Sequence, residues 1–507
     1  MAAIVTERFA KNNADQFLES FSESSPTYYY MFLGKSSSFN ETNDGTGVSD
    51  NAPPTPIDDV SSEYYTWDDM IAAKRINSTD VSNVIPRRDY TIGNAYDMYE
   101  HNISSSNQSD SGASRLWDST FFYITSANRV YKVLDNNNNA VTTAAEPTSE
   151  AAAPFETSDG YTVKYLYTLT ANQADKFLTS DFMAVSSDDT AETDGQIDVL
   201  KVENVGAGIA DGTYYMAVQG DGDDSEANIA VAEIVVSSNA VVRFNLSTGS
   251  KMANKGSGYT FGTIDFSEAN YTNIYTDSSL STAVASETAL RAVSGTPITT
   301  PTINPIIGPR GGHGKNPINE LGGHYVMMNT KFEQDESNDL AVGNDFRRIG
   351  VVSNPYQYGT TTSFTASTGR QTYAVLFSSA TDSFDIDEKI TQATTGAVGK
   401  VVEYDATNRI LYYVQERFED FGTDSTGALV RFSGANDITG DTSGAVGTVD
   451  TTASTDVTLS SATLTFTAGY NNPELEPDSG NIIYIENRRP ISRASDQTED
   501  IKIIVEF

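Results

Sequence analysis

Helical spacing of apolar residues appears in only a few short stretches of this chain. Ala10, Ala14, Phe17, Leu18 and Phe21 predict an amphipathic helix of about 12 residues ending near Glu23. Tyr64, Trp67, Met70 and Ile71 repeat that spacing and predict a second helix within Glu63 to Lys74. A short third helix is expected over Ala171 to Phe177. Elsewhere the pattern is that of strands. The run TYYYMFLGK, 27 to 35, is aromatic and closed by Gly34, and FFYIT and RVYKVL follow between Phe121 and Leu134. In SDGYTVKYLYTLT, 158 to 170, Tyr161, Val163, Tyr165 and Tyr167 alternate onto one face, the period of a strand. The last residues, IKIIVEF, place Ile501, Ile503, Val505 and Phe507 on one face, so the C-terminal strand is expected to be docked.

Between these elements lie polar punctuation and two duplications. Asn51-Ala-Pro-Pro-Thr-Pro56 is a stiff extended connector, and residues 135 to 157 read as a low-complexity surface loop. The frame N-x-G-x-G-x3-G-T occurs at Asn204 to Thr213 and again at Asn254 to Thr263. Phe384, Ile390, Thr391, Thr394, Gly396, Ala397, Val398, Gly399 and Val401 recur 48 residues later as Phe432, Ile438, Thr439, Thr442, Gly444, Ala445, Val446, Gly447 and Val449. Two copies are too few for a solenoid. Each pair is expected to make one small β-sandwich or barrel, with glycines where turns need positive φ. Residues 195 to 290 and 360 to 470 therefore read as inserted β modules.

Composition narrows the class. The chain has 507 residues, enough for about three domains. Its 27 Tyr and 23 Phe supply apolar area despite a hydrophobic content of 38%. A net charge of −37 argues against nucleic acid and against an anionic membrane surface as partners, because both need a concentrated basic face. With no cysteine, disulfides, thiolate metal sites and cysteine nucleophiles are excluded. The start has no apolar h-region, and no 18-residue apolar run occurs, so neither a standard secretory signal nor a membrane span is expected.

Candidate chemistry is sparse. Gly308-Pro-Arg-Gly-Gly-His-Gly-Lys315 suggests a phosphate loop, but Pro309 stands where the Walker spacing needs glycine and Asn316 where it needs Ser or Thr. A tight glycine turn is expected instead. His101, His313 and His324 match no metal-ligand spacing and read as loop histidines. No G-x-S-x-G elbow is present. The acidic clusters Asp221 to Glu226 and Asp382 to Glu388 fit no EF-hand frame and read as solvated hairpin tips. No cofactor is expected. Two arginine motifs stand out in so acidic a chain: Pro86-Arg87-Arg88-Asp89, and Asn487-Arg488-Arg489 with Asp496 beyond it. Guanidinium groups pair bidentately with carboxylates and stack on aromatics, so these residues are expected to pin segments together or to face a partner.

The motifs resemble those of the baseplate wedge protein of T-even-type contractile-tailed bacteriophages, gene product eight. The pieces occur in order: Phe32-Leu-Gly-Lys-Ser36; Ala52-Pro-Pro-Thr-Pro-Ile-Asp58; Val84-Ile-Pro-Arg-Arg-Asp-Tyr90; Asp159-Gly-Tyr161 with Tyr165-Leu166; Phe346-Arg-Arg-Ile349 before Asn354-Pro355; and Ile485-Glu-Asn-Arg488, Pro490-Ile491 and Asp496-Gln-Thr-Glu499. Arg489 departs from the family's proline. The resemblance spans roughly residues 1 to 180, 300 to 358 and 475 to 507, and omits both duplicated modules. It implies a mostly β, multidomain, sandwich-like fold with few helices, and a structural role without catalysis. It implies a homodimer that contacts the long wedge backbone subunit and other wedge proteins, and that takes part in the rearrangement before sheath contraction. The expected location is the virion's tail baseplate, after assembly in the host cytoplasm. The expected organisation is a discontinuous core, 1–190 with 295–358 and 475–507, carrying the two modules. An acidic cell-surface adhesin and a tail-associated glycan-binding or hydrolysing protein are the rival readings.

Overall fold

The computed structural model describes residues 4, 6–186, 193–223, 228–333, 336, 339–341, 343–417, 422–459, 462–494 and 496–507. The chain is mostly β, and it divides into two compact units. One comprises Met1–Asp15, Ser82–Met327 and Val505–Phe507; the other comprises Gln16–Val81 and Met328–Ile504.

In the second unit, beginning, middle and end of the polypeptide share one five-stranded sheet. Its order is Thr368–Arg370, Met70–Ile76, Tyr29–Gly34, Asp345–Ser353, Asn481–Ser492. All paired neighbours are antiparallel. Tyr29–Gly34 is buried on both faces, which explains its unbroken apolar run. Tyr30, Phe32, Trp67, Met70, Ala73, Val352, Phe364 and Leu475 form one core cluster, so residues more than 400 positions apart in sequence pack together. The Tyr30 hydroxyl donates to the carbonyls of Phe364 (3.0 Å) and Ala366 (2.8 Å), satisfying its polar tip inside that core.

Two helix expectations need correction. The helix Glu7–Glu19 stops short of Glu23. The Ser20 hydroxyl bonds back to the Phe17 carbonyl, and a serine-rich stretch leads to Pro26, so local side-chain bonding replaces the helical ladder. The second helix, Val60–Asp68, is N-capped by Asp59, whose carboxylate accepts from Ser62 N–H. It does not reach Lys74. Met70–Ile76 is a strand, because pairing with Tyr29–Gly34 buries Met70, Ile71, Ala72 and Ala73 together. The third helix lies at Ala171–Phe177 with a Thr170/Gln173 capping box.

The same unit contains a closed barrel. Its strands run Ile410–Val414, Ala397–Asp405, Lys389–Gln392, Ile438–Gly440, Val446–Val449, Tyr373–Ala380, and the first and last also pair. The 48-residue duplication forms its core: Phe384, Ile390, Ala397 and Val401 are buried beside Phe432, Ile438, Ala445 and Val449. Gly447 must be glycine, since a Cβ there would sit 2.4 Å from the Phe377 ring. Entry to and exit from the barrel meet at Arg370. Its guanidinium, fully enclosed, bonds to Thr372, to Asn471 and, at 2.9 Å, to the Asn472 carbonyl. The Arg370 N–H donates to the Glu474 carboxylate and the Arg370 carbonyl accepts from Glu474 N–H.

In the first unit, Phe122–Ile124, Arg129–Asp135, Thr162–Thr168 and Phe155–Glu156 form a four-stranded sheet in that order. Tyr123, Tyr131, Tyr161 and Tyr167 are buried around it. Both faces of Thr162–Thr168 are covered, beyond the one-face burial that its alternation predicts. The other duplication follows. Asn204 and Asn254 end their strands, and each side-chain carbonyl accepts from the N–H two residues on, Gly206 (2.9 Å) and Gly256 (3.2 Å). Both glycines have positive φ, 67° and 68°. The region is closed at its base, where Ile197–Asn204 pairs antiparallel with Thr302–Ile307.

Candidate functional site

Pro86 ends the strand Val81–Pro86, whose Val84–Pro86 portion pairs with Phe182–Ala184. That pairing fixes where the two following arginines point. The Arg87 guanidinium donates to Asp89 (2.8 Å) and to the Thr179 carbonyl (2.7 Å). Arg88 lies over the Phe122 ring, 4.4 Å from its centroid, and donates to the Trp117 and Asp118 carbonyls at 3.3 Å. Burial pulls its pKa down to about 10, against the opposing pull of Asp97 and Asp118. The Asp89 carboxylate is half exposed, and its backbone bridges to Ile124. Thus Arg87 and Arg88 both bond within the first unit.

The C-terminal motif behaves differently. Asn487 is bound on both sides. Its side-chain carbonyl accepts from Arg348 (2.9 Å), and its amide donates to the Pro54 carbonyl (3.1 Å). Arg488 is 40% exposed with Glu486 at 3.9 Å, and Arg489 and Asp496 are exposed. Here the duplicated arginines lie on the surface of an edge strand, next to Pro490, which removes a ladder donor.

The buried arginine pair of this unit is Arg347-Arg348. Arg347 is 3% exposed and grips Asp50 through two bonds of 2.9 and 3.0 Å, with a further bond to the Ser36 carbonyl. Arg348 contacts both Asp69 carboxylate oxygens at 2.8 and 2.6 Å. Lys35 approaches Glu416 at 3.8 Å, and Glu416 also accepts from Ser37. Burial pushes Asp69 up to about 6 despite Arg348 and Lys35. Its neighbour Asp68, 2.9 Å from Arg417, is pushed by burial to about 7. Asp50 goes the other way, since bonds from Arg347 and Phe39 N–H outweigh its desolvation. In the sequence this pair stands out only as part of the motif Phe346-Arg-Arg-Ile349. The available signal was its place in a strand followed by Val351 and Val352, where a charged pair must be matched.

The glycine-rich loop 308–315 already contains an anion. Glu320, on the short helix Pro317–Leu321, accepts from Gly314 N–H (2.8 Å) and Asn316 N–H (3.3 Å) and pairs with Lys132 at 2.8 Å. Lys132 and Glu320 are buried, with the Lys132 ammonium 3.8 Å from the Tyr99 ring centroid. Gly311 N–H donates to Asp194 and Gly312 N–H to the Pro309 carbonyl. The likeness to a phosphate cradle therefore reflects a nest filled by the chain's own carboxylate.

The histidines do not converge. His313 lies in the glycine-rich loop but is buried there, packed edge-on against Tyr99, and burial drives its pKa well down. His324 stacks on Trp117 and bonds to the Gly322 carbonyl. His101 accepts from Ile307 N–H. Among the described residues no group of three or more His, Asp or Glu is placed to hold a metal. Of the acidic clusters, Asp221 accepts from Thr260 and Phe261 N–H, and 224–226 lie outside the described residues. Glu388 is not a solvated tip. It is buried and accepts from Thr442 N–H and Ser443 N–H at 2.9 Å, stitching one copy of the barrel repeat to the other.

The strand carrying Asn487 falls in a segment with a recognisable relative. A family model described as Phage-Gp8, "Bacteriophage T4, Gp8", matches residues 452–507. The matched segment contains the hairpin Thr455–Thr458/Thr463–Phe466 and the strands Asn481–Ser492 and Thr498–Glu506. No curated protein matches the chain. Over this C-terminal part, 452–507, the chain is similar to the Phage-Gp8 family of baseplate wedge proteins.

Proposed function

We propose that this protein is a homodimeric wedge subunit that bridges neighbouring baseplate proteins, among them the long wedge backbone subunit, and moves with them before sheath contraction. The family match at 452–507 carries the reading, and it supports a structural role in a phage tail baseplate. In keeping with that family the protein acts by holding partners rather than by turning over a substrate. Assembly takes place in the host cytoplasm before the subunit enters the virion. The core comprises 1–190, 295–358 and 475–507, and the modules 195–290 and 360–470 are additions to it. Two observations favour additions: Arg370 bonds entry to exit at the barrel, and Ile197–Asn204 pairs with Thr302–Ile307 at the base of the other module. Insertions whose ends already meet add little closure entropy to the scaffold. Light scattering on the purified chain tests the dimer. A mass twice that of the chain is expected, and a monomer at micromolar concentration contradicts it. Pull-down with co-expressed wedge proteins tests the bridging.

A further inference from the structure

The first unit contains a cavity of about 790 Å³ whose charge runs against that of the chain. One wall is a face of the helix Glu7–Glu19, where Arg8, Lys11, Asn12 and Asp15 follow at i, i+3, i+4 and i+7. The facing wall is the glycine-rich loop and the helix after it, with Arg310, Lys315, Asn316 and Asn319. Tyr99, Leu116 and Trp117 also line the cavity. Thus four cations line one cavity against three carboxylates, Glu7, Asp15 and Glu320, in a protein of net charge −37, and Glu7 lies 3.7 Å from Arg115.

Not all of these charges are neutralised internally. Lys11 pairs with Asp15, and Glu320 with Lys132. The Arg8 and Arg310 guanidinium groups are exposed and have no ion pair among the described residues. Two unmatched arginines on opposite walls, with amide side chains beside them, suit a ligand that presents several oxyanions along its length.

The loop chemistry selects the kind of ligand. Compact phosphate recognition relies on backbone N–H donors, and those of Gly311, Gly312, Gly314 and Asn316 are taken by Asp194, the Pro309 carbonyl and Glu320. What remains are side-chain cations for carboxylates and asparagine amides able to bond a peptide backbone. The volume lies in the range of ligand pockets, about 300–1,000 Å³. We propose that this cavity is a docking site for an acidic peptide segment in extended conformation, seated between Arg8 and Arg310.

The test is fluorescence anisotropy of a labelled hexaglutamate peptide titrated with the full-length protein. Saturable binding is expected, weakening steadily as salt rises from about 0.05 to 0.5 M because part-exposed charges are screened. Arg8→Glu and Arg310→Glu should each weaken binding by at least ~10-fold, the equivalent of one lost charge-assisted contact. Since neither side chain has an internal partner, both variants should melt as the wild type does, which separates lost binding from lost folding. Arg409→Glu, on the barrel in the other unit, should bind normally. Absence of binding, or binding indifferent to both reversals, overturns the site. Tripolyphosphate that binds more tightly than the peptide and displaces it overturns the peptide assignment.

Discussion

Thr391 sits directly across the sheet from Thr439, its own equivalent in the second copy of the 48-residue repeat. Equivalent positions pair antiparallel only about a local two-fold axis, so the barrel is a pseudo-symmetric object folded from one chain. Ile390 and Ile438, related by the same offset, are both fully buried. Ile390→Ala and Ile438→Ala should each cost about 2–5 kcal/mol by lost burial and cavity formation, and by similar amounts. Urea unfolding followed by barrel tyrosine fluorescence checks this. A large cost at one site with none at the other would contradict the shared core.

Arg370 should govern how firmly the barrel is held at its base. Replacing it with Met leaves the Asn472 carbonyl and the Asn471 amide side chain without their donor in an enclosed site. A loss of about 3–5 kcal/mol is expected, the usual result of breaking a buried charged network. Proteolysis between 371 and 474 should accelerate first, while the five-stranded sheet stays protected in hydrogen exchange.

Glu320→Gln should be among the most damaging single substitutions in the first unit. It keeps the shape but leaves the Lys132 ammonium buried without its counter-charge, for a cost of about 3–5 kcal/mol. Thermal melting measures this. Lys132→Met combined with Glu320→Gln should recover much of the loss, because the uncompensated charge is gone.

Stability should rise on mild acidification. Burial holds Asp68 near pKa 7 and Asp69, Asp339 and Asp387 near 6, all in the second unit. In the unfolded chain aspartate releases its proton near about pH 4. Between those values the folded state binds more protons, so stability falls as pH rises from about 4 to 7. Asp50, Asp59, Asp424 and Asp450, held low by hydrogen bonds, work in the opposite sense only as pH falls through about 4, below this window. His101 and His313, lowered by burial, oppose the trend below about pH 6.5. Self-repulsion from 69 acidic residues adds to the trend. Melting temperatures at pH 5.5 should exceed those at pH 8, and Asp68→Asn should flatten the slope.

The strands Tyr29–Gly34 and Arg129–Asp135 were legible because burial on both faces leaves a short run of aromatic and β-branched residues in the sequence. The barrel repeat was legible because both copies build one core. Met70 and Ile71 were misplaced because helical spacing at the end of one element continued by coincidence into the next, where pairing with the strand before decides the outcome. Lys132 and Glu320 were invisible as a pair, being 188 residues apart, and nothing local marks a partner at that distance. Similarly, Arg347 and Arg488 read alike in sequence. Only the sheet separates them, placing Arg347 against Asp50 and Arg488 on an edge.

Immunogold electron microscopy of purified phage particles, using antibody raised against this protein, tests the structural assignment most directly. Gold confined to the baseplate at the distal end of the tail is the expected result. Particles without label there, with the protein recovered instead as a free species in the lysate, would contradict it.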